Sequence, residues 1–142
     1  MKGIRKSAEA GWYWTMKKMK VLVVESEIPT AMMVTSLLTQ AGFDVRVAAK
    51  GRKGLEIAQE QKFDLIVLET VLPDLSGLKI CAELKQRHIS YRTPVVFLSD
   101  QHGNEYRERA LELGAADFIE KPFDGREFIS RVLSHLEEST LA

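Results

Sequence analysis

Five short runs rich in β-branched residues alternate without exception with stretches of helical period, and few folds accept that order. The runs are VLVVE (21–25), DVRVA (44–48), DLIVLE (64–69), PVVFLS (94–99) and ADFIE (116–120). The stretches that follow them are Thr30–Ala41, Lys53–Gln61, Ser76–Arg87, Glu105–Leu113 and Gly125–Leu136. Such alternation is the pattern of βαβ units, whose crossover helices require a parallel sheet. VLVV, LIVL and VVFL are apolar at every position, as strands covered on both faces must be, and are predicted to lie centrally.

The chain has 142 residues, of which 45% are hydrophobic, enough for one substantial core and too few for a second domain. The expected division is an extension over 1–19, a domain over 20–138 and a short tail over 139–142. No apolar run approaches a membrane span and none resembles a secretory signal, so a cytoplasmic protein is expected. The single cysteine, Cys81, excludes an internal disulfide framework and is read as core beside Leu78 and Leu84.

A formal net charge of zero conceals an uneven distribution. Lys2, Arg5, Lys6, Lys17, Lys18 and Lys20 face only Glu9 in the first twenty residues, and the remainder carries the matching acidic surplus. The main body therefore offers no field that would attract nucleic acid. The leader, with Trp12, Tyr13 and Trp14, has the character of a surface-docking segment for a membrane, a nucleic acid or a partner. A loosely ordered extension, or a start misassigned upstream of Met16 or Met19, is the preferred account of it.

In an open α/β sheet, ligands collect beyond the carboxyl ends of the strands. Here those ends carry Glu25, Ser26 and Glu27, then Glu69, then Ser99 and Asp100, then Lys121, so acids, hydroxyls and an ammonium are expected to converge on one edge. Other signals are weaker. His88, His102 and His135 lack metal-ligand spacing and are expected to face solvent. Gly51 and Gly54 fit neither a dinucleotide nor a P-loop fingerprint and are read as loop and helix-opening glycines. No nucleophile–base pair is evident, which argues against an enzyme.

The segments VLVVESE, LETVLPDLSGL, VVFLS and GAADFIEKPF resemble the bacterial response-regulator receiver domain, with every element in order from about Lys20 to Leu136. The resemblance implies a doubly wound, flavodoxin-like α/β fold: a five-stranded parallel sheet of order 2-1-3-4-5, with helices one and five on one face and two to four on the other. It also implies an acid pair and a phosphoacceptor aspartate that hold Mg²⁺, a hydroxyl and a lysine that read the phosphoryl group, and a switch aromatic. Carried over, the acid pair falls on Glu25 and Ser26, the phosphoacceptor on Glu69, the hydroxyl on Ser99, the lysine on Lys121 and the aromatic on Phe118. The Lys121–Pro122 bond is expected to be cis. The face formed by Arg107, Asp117, Arg126 and Arg131 is where such domains meet partners or each other.

Glu25, Ser26 and Glu69 depart from that pattern, and all three departures fall on one chemical task. Ser26 supplies a neutral hydroxyl where a second acid ligates Mg²⁺, and is available instead as a cap for the helix near Pro29. Mg²⁺ binding is therefore expected to be weak. The additional methylene of Glu69 displaces its oxygens by roughly 1.5 Å, enough to spoil in-line transfer of a phosphoryl group. It also carries negative charge toward Lys121 and Ser99, as a partial mimic of a phosphorylated aspartate. The expected function is that of a phosphorylation-independent receiver working through contacts with signalling proteins, a histidine kinase or a downstream effector, with homodimerisation a further option. The alternatives are a working receiver phosphorylated with Mg²⁺ and, in another class, a small α/β nucleotide-binding protein or enzyme.

Overall fold

The computed structural model describes residues 18–86 and 92–141. The aromatic leader through residue 17 and His88 lie outside the described residues. Five strands alternate with five helices: β1 (Lys20–Val24), α1 (Ile28–Gln40), β2 (Asp44–Ala48), α2 (Gly51–Glu60), β3 (Leu65–Glu69), α3 (Gly77–Gln86), β4 (Val95–Ser99), α4 (Asn104–Glu112), β5 (Asp117–Glu120) and α5 (Gly125–Leu141). All strand pairs are parallel and the order is β2-β1-β3-β4-β5, as the resemblance implies.

Side chains alternate across the sheet and feed two cores. Val21, Val23, Leu65, Val67, Val96 and Leu98 pack with Val34 and Leu38 of α1 and Phe128, Val132 and Leu136 of α5. Leu22, Val24, Ile66, Leu68, Val95 and Phe97 pack on the other face with Ile57 of α2, Ile80, Cys81 and Leu84 of α3 and Ala110 of α4. The spacing of Phe128, Val132 and Leu136 is the four-residue stripe that a helix needs to press one face on a sheet. Burying each such large apolar side chain stabilises the fold by about 1.5–3 kcal/mol. Cys81 is fully buried, and burial pushes its thiol above the ordinary value, in keeping with a core role.

Three local expectations are corrected. Gly51, expected in a loop, is the first residue of α2, while Gly54 lies in the first turn as a helix-opening glycine should. A Cβ on Gly54 would sit 2.7 Å from a methyl of Val24, so the glycine lets α2 lie close against β1. Asp74 serves the start of α2 from a distance, accepting the Gly51 and Arg52 N–H groups at 2.7 and 3.0 Å. Ser26 does not cap α1, because the N-cap is Glu27 and Pro29 lies in the first turn. The last helix continues through Leu141, into residues expected to form a tail. SHLEESTL contains neither glycine nor proline to stop it.

Candidate functional site

The parallel register brings the strand ends level. Val24 pairs with both Ala48 and Leu68, Glu69 with Leu98, and Ser99 with Glu120. The chain then leaves the sheet along fixed paths: Glu25 N–H donates to Ala48 O at 3.0 Å and Lys121 N–H to Ser99 O at 2.8 Å. Glu25, Glu69, Ser99 and Lys121 are consequently gathered at one edge, and all four are buried. The Lys121–Pro122 bond is cis, as expected.

Lys121 is the hub. Its ammonium donates directly to Glu69 Oε1 and, at 3.1 Å, to Glu25 Oε1. Glu27 Oε1 and Asp100 Oδ2 stand farther out, at 3.9 and 4.0 Å. Burial works against the charge on Lys121, and the Glu69 and Glu25 carboxylates outweigh it, holding the ammonium above the ordinary lysine value. Burial also pushes the Glu25 carboxyl up, against the Glu27 N–H and Lys121, while the nearby charge of Glu69 adds to the rise.

Ser99 does not meet Glu69 directly, contrary to expectation. Thr70 stands between them: its hydroxyl bonds to Glu69 Oε2 at 3.0 Å and to Ser99 Oγ. Val71 N–H donates to Glu69 Oε2 at 3.3 Å, and Gln101 N–H to Ser99 Oγ at 2.9 Å. Thr70 is the residue that sequence reasoning missed. Its adjacency to Glu69 was the available signal, since a hydroxyl next to a strand-end carboxylate is well placed to hydrogen-bond it. Gly77 closes the floor, donating its N–H to Thr70 O at 2.8 Å. A Cβ there would lie 2.0 Å from Glu69 O, so no side chain fits.

The remaining expected positions form a second group on β5. Phe118 is buried against Phe97, their ring centroids 6.2 Å apart, with the Arg107 guanidinium 5.3 Å from the Phe118 centroid. Arg107 also donates to Phe118 O at 3.3 Å. Asp117 and Arg131, expected to face partners, are engaged with each other: Arg131 Nε lies 3.0 Å from Asp117 Oδ2 and His135 Nε2 2.9 Å from the same oxygen. This corrects the solvent-facing assignment of His135. His102 is exposed, as expected, but bonds Lys121 O at 2.9 Å through Nε2. Arg126 remains exposed on α5.

The donors do not fit Mg²⁺. That ion requires close, near-octahedral oxygens and usually one or two free carboxylates. Glu25 commits Oε1 to Lys121 and Oε2 to Glu27 N–H at 3.0 Å, and both Glu69 oxygens are hydrogen-bonded. Ser26 adds no charge.

Residues 21–133 match the response regulator receiver domain family. Curated relatives include the alkaline phosphatase synthesis transcriptional regulatory protein PhoP of Bacillus subtilis, 36% identical over 87% of this chain and 50% of its own. The transcriptional activator protein IrlR of Burkholderia pseudomallei is 39% identical over 83% of this chain and 50% of its own. The chain thus spans about half the length of these relatives. Among solved structures, a response regulator of Chloroflexus aurantiacus superposes with a TM-score of 0.81 at 28% identity, covering 85% of this chain and 99% of that one. The receiver domain of Francisella response regulator 1452 gives 0.80 at 29%, covering 86% and 99%. Family match, strand order and strand-end corner coincide, and the chain belongs to the response-regulator receiver domain family of two-component signalling.

Proposed function

We propose that this receiver acts without phosphorylation, as a non-enzymatic module that signals by contact with other proteins. The observation that supports this reading most is the direct bond between Glu69 and Lys121, closed on its other side by Thr70. In the family's chemistry, as the resemblance implies, the lysine reads a phosphoryl group on the third-strand acid. Here the longer acid reaches the lysine unaided, with one charge and two oxygens where a phosphoryl group brings up to two charges and three oxygens. Phe118 buried beside Phe97 accords with an activated arrangement of the α4–β5–α5 face. The partners are signalling proteins of the cytoplasm, a histidine kinase or an effector. Transcriptional output, as the names PhoP and IrlR state for those proteins, would then be exerted through such contact. Among the described residues no helix is long and apolar enough to cross a membrane.

Intact mass after incubation with acetyl phosphate and Mg²⁺ tests the reading. No stable phosphoryl adduct is expected on the wild-type chain, whereas Ser26→Asp combined with Glu69→Asp, which rebuilds the acid pair and shortens the acceptor, is expected to gain one. An adduct on the wild-type chain that vanishes in Glu69→Gln would refute phosphorylation-independence.

A further inference from the structure

Four acids at the carboxyl edge of the sheet turn toward a single ammonium, while Glu120, at the end of β5, pairs with Arg107 and His102 instead. Glu69 touches Lys121 Nζ, Glu25 lies at 3.1 Å, Glu27 at 3.9 Å and Asp100 at 4.0 Å. The arrangement is graded by burial. The Lys121, Glu25 and Glu69 side chains are 8%, 2% and 5% exposed, while Glu27 and Asp100 stand 56% and 66% exposed at the rim.

We propose that Lys121 is the resident cation of this corner: its ammonium takes the role of the divalent ion, and the two are mutually exclusive. Three features carry the argument. The ammonium offers three donors and tolerates hydrogen-bond distances, which suits carboxylates at this spacing better than the short, six-fold shell of Mg²⁺. Glu69, longer by one methylene than aspartate, reaches Nζ and leaves its second oxygen to Thr70 and Val71 N–H. Ser26 removes one negative charge from the place where the attraction for a dication would be greatest. A divalent ion entering beside Glu25 and Glu69 would meet the positive charge of Lys121 at close range and at low effective dielectric, and would first have to strip both carboxylates of their bonds.

The inference goes beyond the phosphorylation reading, because metal uptake is measured with no phosphodonor present. The full chain is titrated with Mn²⁺ and free Mn²⁺ is followed by its electron paramagnetic resonance signal. Wild type is expected to leave that signal at its protein-free height. Lys121→Met is expected to bind Mn²⁺ at least about tenfold more tightly, in a manner reversed by Mg²⁺ and abolished by adding Glu25→Gln. Equal uptake by wild type and Lys121→Met, or no uptake by the folded Met variant, overturns the proposal. Should Lys121→Met be unfolded, refolding upon addition of Mn²⁺, seen by circular dichroism, supports it and failure to refold overturns it. A thermal midpoint of wild type that rises with Mg²⁺ at constant ionic strength also overturns it.

Discussion

At the scale of single residues, the corner is a chain of dependencies. Lys121 is buried with two carboxylates, so removing it leaves charges that the interior cannot solvate. Lys121→Met is expected to lower unfolding free energy by about 3–5 kcal/mol, and Glu69→Gln by less, because Glu25 still faces the ammonium; urea denaturation of the three proteins measures both. Thr70→Val should cost about 1–3 kcal/mol by leaving Glu69 Oε2 and Ser99 short of a partner. Thr70→Ser, which keeps the hydroxyl, should recover most of it. A loss in Thr70→Ser equal to that in Thr70→Val would show that the methyl rather than the hydroxyl matters. Glu25, Glu69, Ser99 and Lys121 were legible in the sequence, since each ends or follows a strand of clear pattern. Thr70 was not: a lone threonine after an apolar run reads equally well as a turn residue, and only register places it between Glu69 and Ser99.

Elements are held at this corner by close approach and by one clamp. The start of α3 is pressed against the end of β3 at Gly77, where any Cβ would collide with the Glu69 carbonyl. Gly77→Ala is expected to destabilise by about 1–3 kcal/mol or more, read as a lower urea midpoint. β5 and α5 are joined by Asp117, which accepts from Arg131 and His135. Burial opposes the charge on Asp117, but Arg131 and His135 prevail and keep its carboxyl below the ordinary value. A group depressed in this way stabilises fully above its unfolded value, and that contribution is lost as pH falls through the folded one. Asp117→Asn should therefore flatten the acid limb of the stability profile from roughly pH 4 downward, and an unchanged limb would assign acid sensitivity elsewhere. The clamp could not be read from sequence, because Asp117 and His135 are separated by eighteen positions and by the whole turn into α5. Strands and helices themselves are legible, except that Pro29 and Gly51 read as boundaries where they are first-turn residues of α1 and α2.

For the molecule as a whole, stability is expected to be uneven. β3 and β4 are buried at every position and lie inside the sheet, whereas β2 is an edge strand with three exposed residues and α4 buries only Ala110. Amide hydrogen exchange should be slowest in β3 and β4 and faster by orders of magnitude in α4 and along β2. Uniform protection across the five strands would contradict this ordering. Fold class and strand order were legible because periodicity and apolar runs extend along the whole domain, a redundancy that a corner of a few residues lacks. Lys121 leads to one further consequence. Because the cation that meets Glu69 is joined to it through the folded chain, it is present at an effective concentration that neither dilution nor supply can alter. Occupancy of the corner by Lys121 then has no dose–response curve; under the proposed phosphorylation-independent reading, the signal would be set by how many copies exist and by what competes for the surface.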